Sequence, residues 1–198
     1  MGFAVIIDLL GSIIIGGMLM VTLMNLNGNA TENTYAYTGE LVVQEYMVGT
    51  IEALEYDLKK IGYCEDPSKL PNPAKTILFA DTSEIKFLTD TEFDGDVDTV
   101  RVYLGSTSEL NMTPNPNDRM LYRSVNSVSK SVNLGVTQFK IKYFDAIGYE
   151  LTTPLYVPTG IASMQIDIRV ENTAAYNEDY KNAYWRQIRL ASRNLNNR

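Results

Sequence analysis

The opening stretch, MGFAVIIDLLGSIIIGGMLMVTLMNLN, constrains this chain more than any other, because it is almost entirely apolar and carries one acid, Asp8. Phe3 to Met24 is about 22 residues, which at roughly 1.5 Å per residue makes a helix of about 33 Å, the depth of a bilayer's hydrocarbon core. It reads as a membrane span, with the buried helix of a soluble protein as the competing reading. A secretory signal peptide needs a basic start and a small-x-small cleavage site, and Met1-Gly2 supplies no base. The stretch is therefore expected to stay with the mature protein.

The remainder of the 198 residues suffices for one globular domain with its own core. A net charge of −7, with no cluster of Lys or Arg, argues against nucleic acid as a partner. With one cysteine, Cys64, and no histidine, an intramolecular disulfide, Cys/His metal sites and imidazole-based catalysis are excluded. Charge is uneven: acids dominate up to Asp57, whereas after Asp179 only bases remain, among them Lys181, Arg186, Arg189, Arg193 and Arg198. That basic tail is either a solvated face or a counterpart to the acidic end.

Between Asn25 and Gly39 the run NLNGNATENTYAYTG is rich in Asn, Thr and Gly, so a helix is expected to weaken there, with Asn25 to Asn33 locally irregular. Apolar residues then return at Met47, Ile51, Leu54, Leu58 and Ile61, steps of four and three that form one stripe of an amphipathic helix. Glu45, Glu52, Glu55 and Lys59 lie on its other face. Gly62 is a plausible C-cap, and Pro67, Pro71 and Pro73 prevent continuation. Beyond Pro73 the period becomes two. Val100-Val102-Leu104, Phe139-Ile141-Tyr143 and Ile166-Ile168-Val170 read as half-buried strands, with weaker candidates at Thr76 to Phe79, Glu84 to Leu88, Met120 to Val125 and Trp185 to Leu190. Six or seven strands joined by turns give an α+β fold: a long N-terminal helix, half transmembrane and half amphipathic, packed on an antiparallel sheet. The expected divisions are 1–27 for the span, 28–62 for the amphipathic helix and 63–198 for the sheet domain.

This order of elements resembles a type IV pilin-like subunit. IEALEYDLKKIGY (Ile51 to Tyr63) is similar to the "DLR-x-AGY" helix ending of W-type minor pilins and J-type minor pseudopilins. DGDVDTVRVYL from Asp94 is similar to their "D-G-D…D-x-V-x-Y" hairpin, and GVTQFKIKYFDAIG (Gly135 to Gly148) to their "GV-x-x-F-x-I-x-Y-x-D-x-x-G" strand. Arg193-Asn194 matches a final "RN". No single motif is specific, but the four occur in the right order over nearly the whole chain. The resemblance implies a structural, non-enzymatic subunit of a type IV pilus or type II secretion filament, without cofactor. It implies assembly with other pilin-like subunits through the N-terminal helix, an inner-membrane anchor with an extracytoplasmic domain, and processing by a prepilin peptidase. Roles in cell adhesion or protein secretion go with such filaments. The alternative is a membrane-tethered extracytoplasmic binding module that does not polymerise.

By the same resemblance Gly2-Phe3 looks like the processing site, with Phe3 as the first mature, methylated residue. The usual basic leader does not precede it here, so either the start lies upstream or the leader is two residues long. The family's acid stands at the fifth mature position, here Ile7, and this chain has its acid one place later, at Asp8. A carboxylate within a span costs about 2.5–3.5 kcal/mol on insertion scales and calls for a partner. The resemblance makes that partner a neighbouring subunit's N-terminal amine; the alternative is an acid near the membrane surface. Gly11, Gly16 and Gly17 would let helices approach closely. Asp90, Glu92, Asp94, Asp96 and Asp98 offer oxygen ligands for Ca²⁺, but Gly95 between two Asp residues equally suits a tight hairpin, and no metal is assigned. Tyr103, Tyr143, Tyr180, Tyr184 and Trp185 are better explained by packing than by a ligand site.

Overall fold

The structure, a computed structural model, describes residues 2–72, 75–156, 158–173 and 180–190. It has the expected α+β architecture. Among the described residues one α-helix, α1 (Gly2–Lys59), is followed by nine antiparallel strands, with short 3-10 turns at Pro67–Lys69 and Thr107–Leu110 between them: β1 (Ile77–Asp81), β2 (Glu84–Thr89), β3 (Asp98–Leu104), β4 (Met120–Val125), β5 (Val128–Leu134), β6 (Val136–Phe144), β7 (Glu150–Leu151), β8 (Ser163–Glu171) and β9 (Asn182–Leu190).

The irregularity expected between Asn25 and Asn33 is absent: α1 is regular α-helix through Gly28. Poor propensity amounts to less than about 0.7 kcal/mol for an Asn or Thr and about 1 kcal/mol for a Gly. A break would instead leave two new helix ends with orphaned backbone groups and require a second nucleation. The Thr31 and Thr34 hydroxyls add internal bonds by donating to the carbonyls of Asn27 (2.9 Å) and Ala30 (2.8 Å). At the other end the coil tightens, with Lys60 N–H bonding to the Asp57 carbonyl, and the chain turns at Gly62 (φ 74°). Its N–H there reaches the Leu88 carbonyl of β2, at 3.0 Å. A residue with a Cβ would be strained at that φ, so Gly62 lets the helix end feed into a sheet.

Two sheets take the place of the one expected. The first is a meander in the order β1-β2-β3-β4-β5; the second runs β7-β6-β8-β9. They join where Ala80 and Leu155 exchange backbone hydrogen bonds, Ile141 N–H donates to Thr82 and the buried Tyr143 hydroxyl donates to the Asp81 carbonyl. β5 and β7 have no counterpart among the strands read from the sequence. β5 (VSKSVNL) is polar and lies at a sheet edge, where burial imposes no alternation, and β7 is two residues long.

One core serves both sheets and the second half of α1. Val43, Met47, Leu54, Leu58 and Ile61 of the helical segment meet Ile85, Phe87, Val100, Val102 and Leu121 from one sheet and Phe139, Ile141, Met164, Ile166 and Ile168 from the other. Cross-strand register keeps these on one face, with Phe87 opposite Val100 and Ile141 opposite Ile166. Of the stripe read from the sequence, Met47, Leu54, Leu58 and Ile61 are buried and Ile51 is half-buried against them.

Candidate assembly helix

The residues singled out at the start of the chain, Gly2, Phe3 and Asp8, all lie on the projecting end of α1. Gly39 is the first buried position along the helix, where an added Cβ would come 2.7 Å from the Asn172 side chain. Between Phe3 and Thr38 every residue is exposed except the half-buried Gly11 and Ala36, so about 36 residues extend roughly 54 Å from the domain. Up to Met24 this projecting rod is apolar on every side apart from Asp8, Ser12 and Thr22, with Phe3, Ile6, Leu10, Ile13, Met20 and Met24 each more than half exposed. A helix apolar on every side belongs in an apolar medium. By length and composition, α1 is a helix able to cross a membrane.

Within the apolar stretch from Phe3 to Met24 the polar side chains share one side. At 100° per residue Asp8, Ser12 and Thr22 fall within about 80° of one another, with Ala4 and Gly11 beside them. Ser12 donates to the Asp8 backbone carbonyl (2.7 Å) and Thr22 to the Met18 carbonyl (2.9 Å), which satisfies both hydroxyls without water. The Ser12 proton therefore goes to the Asp8 backbone and not to its carboxylate. Around Gly11, Gly16 and Gly17 there is open space, so a second helix has room to approach the rod there.

The C-terminal end of α1, within the domain, is held by a charge contact. Asp57 lies on the buried side of α1, 3% exposed, and accepts from Nε and Nη2 of Arg123 on β4 (Nη2 to Oδ1, 3.0 Å). Arg123 is opposite Val102 in the ladder and so shares the core-facing side with Leu121. The only sequence signal for it was a cation between inward-facing positions of β4. Nearby, Lys60 Nζ lies between the rings of Tyr56 (4.0 Å) and Phe93 (3.7 Å), tying the helix end to the acidic loop.

The five acids of that loop do not converge on one point. Asp90 is fully buried and accepts from the backbone N–H groups of Glu65, Phe93, Asp94 and Gly95. Burial alone would raise its pKa, but these N–H donors outweigh it and hold the carboxyl below its usual range. Asp98 accepts from Thr91 and Asn126, Asp96 pairs with Lys69, and Asp94 accepts from Asp96 N–H. Among the described residues no three acids, cysteines or histidines are grouped to hold a metal. Nor is this the tight hairpin considered above: eight residues separate β2 from β3, organised on Asp90, with positive φ at Phe93 and Gly95.

The tail and the aromatics also find places. Arg186 pairs with Asp167 across β8 and β9 (2.7 Å), not with the acidic helix; Arg193, Asn194, Arg198 and Asp179 lie outside the described residues. Tyr143 is fully buried, Trp185 packs against the core edge, Tyr103 stacks on Tyr122, Tyr180 donates to the Pro114 carbonyl and Tyr184 is half exposed. In the GVTQFKIKYFDAIG stretch, Gly135 adopts φ 86°, and an added Cβ would lie 2.7 Å from the Glu171 carbonyl oxygen. The Asp145 carboxylate accepts from Ile147 and Tyr149 N–H, and Gly148 has φ 89°. Those positions shape a bulge and a turn. No protein-family model matches the chain, and no curated protein is significantly similar to it.

Proposed function

We propose that the chain is a structural subunit of a filament of the type IV pilus or type II secretion class, of the minor pilin or pseudopilin kind. The first half of α1 sits in the inner membrane before assembly and in the filament core afterwards, with the sheet domain outside. The observation that carries this reading is the contrast within one continuous helix. One face of its second half is buried in the domain core, whereas its first half offers a stretch of about two dozen residues, nearly all apolar, to something outside the chain. A rigid rod fused to a domain transmits the position of one to the other, as a filament subunit requires. The motifs similar to those of W-type minor pilins and J-type minor pseudopilins support the same reading.

In this role Asp8 meets the N-terminal amine of a neighbouring pilin-like subunit, Gly2-Phe3 is the prepilin peptidase site, and Phe3 becomes the methylated first residue. The polar side of the rod faces neighbouring helices, where small side chains permit close packing and a carboxylate finds its counter-charge. Intact mass measurement of the protein extracted from its native membrane tests the processing step. Loss of Met1-Gly2 with one added methyl group on Phe3 is the expected result. An unprocessed start at Met1 would instead favour a membrane-tethered binding module that never polymerises.

A further inference from the structure

The outward face of the first sheet carries a row of side chains that neither the core nor α1 accounts for. Cross-strand register sets Phe79, Lys86, Arg101, Ser124 and Ser129 side by side on β1 to β5, one residue per strand. Ala80, Phe87, Val102 and Val125, next to the first four in sequence, turn into or against the core, so the row looks away from it. At about 4.8 Å between strands the row is about 19 Å long. All five residues line a groove of about 750 Å³, within the range of sites that hold small ligands. Arg101 is fixed in it: Nε and Nη2 donate to the two oxygens of Glu84 (2.7 and 2.8 Å), and the guanidinium lies 4.0 Å from the centre of the Tyr103 ring, which stacks on Tyr122. Only two of its five N–H donors are used there, so the edge formed by Nη1 and Nη2 keeps a second fork that matches a carboxylate.

The charge of the groove runs against that of the chain. The whole protein carries −7, yet here two cations, Lys86 and Arg101, stand against one acid, Glu84. Glu84 offsets Arg101, whereas Lys86 has no counter-ion among the described residues, and the Ser124 and Ser129 hydroxyls have no hydrogen-bond partner there. At one end Phe79 meets the ring of Tyr156 at 5.6 Å, and Tyr156 is 74% exposed, so an aromatic surface borders the polar row. A flat aromatic edge, free hydroxyls and an unmatched cation suit a ligand with apolar ring faces, many hydroxyls and a carboxylate. An extended peptide would instead pair with the open edge of β5 and needs apolar pockets for alternate side chains, and the middle of the row has none. We propose that this face binds an acidic oligosaccharide of the uronic acid kind. A sugar ring rests on Phe79 and Tyr156, a carboxylate meets Lys86 and the open fork of Arg101, and hydroxyls bond to Ser124 and Ser129. The inference stands on the sheet face alone and holds whether the chain polymerises or remains a tethered module.

The test titrates the full chain in detergent micelles with tetragalacturonate and with tetramannuronate by calorimetry, beside neutral cellotetraose and hexaglutamate. The expected result is saturable binding of a uronate, with cellotetraose and hexaglutamate each weaker by about tenfold or more. Lys86→Ala should weaken uronate binding about tenfold, since it removes the one unmatched charge, and Phe79→Ala should weaken it as well. Lys140→Ala, on the exposed face of β6 in the other sheet, should leave it unchanged. Failure of both uronates to bind the wild-type chain, or undiminished binding by K86A, would overturn the proposal. So would equal losses in K86A and K140A, which would mean diffuse charge attraction, equal affinity for cellotetraose, which would mean that the anion is not read, or equal affinity for hexaglutamate, which would make this a peptide site. The wild-type comparison among the four ligands needs no variant, so a variant that fails to fold leaves the proposal testable.

Discussion

Replacing Asp57 with Ala should loosen the junction between helix and sheet more than any surface charge could. The carboxylate is buried, and the Arg123 side chain that it holds is 29% exposed. Removing one partner of a buried pair costs about 3–5 kcal/mol, chiefly because the other charge is left without compensation. Since part of the Arg123 head keeps access to water, the expected loss is about 2–3 kcal/mol. For a chain of this size that lowers Tm by about 4–12 °C. The assay is urea unfolding of the full chain in mild detergent, followed through Trp185, the single tryptophan, which packs at the core edge. Arg123→Met and the double variant complete a cycle in which D57A/R123M should recover much of the loss, because the uncompensated cation is gone. A loss below about 0.5 kcal/mol for D57A, the value of an exposed pair, would refute the argument that this contact locks α1 to the sheet.

Three other outcomes follow from the same structure. Asp90, whose folded pKa is depressed, contributes stability that is complete above about pH 4 and disappears as pH falls through the folded value. Asp90→Asn should therefore be less stable than wild type at pH 7 and flatter between pH 5 and pH 2 in urea midpoints; parallel profiles would contradict the assignment. Removing residues 1–38 should give a soluble, folded, monomeric domain, since burial starts at Gly39; an aggregated product by light scattering would count against it. Gly28→Ala, in regular exposed helix with open space around it, should slow amide exchange around residues 25–33 about fivefold, from roughly 1 kcal/mol of propensity; unchanged exchange would argue against a continuous helix there.

The fold was legible in the sequence where periodicity was strong. Met47, Leu54, Leu58 and Ile61 announced the buried side of α1, and Val100, Phe139 and Ile166 the central strands, because burial on one face forces those spacings. Asn25 to Asn33 misled, since local propensity is a weak force against the cost of ending and restarting a helix. β5 was invisible because its exposed polar residues carry no pattern. The division into two sheets was also hidden, since which strands pair depends on contacts such as Ala80 with Leu155, far apart in sequence. For the projecting rod, the apolar run itself was the signal. The pairing of Asp57 with Arg123 was not legible, because a charged residue shows its partner only once the fold brings the two together.

The central claim is that the apolar half of α1 joins a filament through Asp8, and fractionation of cells carrying wild-type or Asp8→Ala chains between membranes and sheared surface filaments tests it most directly. The account predicts wild-type protein in both fractions. It predicts D8A at equal or higher level in the membrane, where an unpaired carboxylate has been removed, and depleted from the filaments, where the counter-charge of a neighbour's amine is lost. D8A at wild-type level in the filaments, or a wild-type chain confined to the membrane, would contradict it.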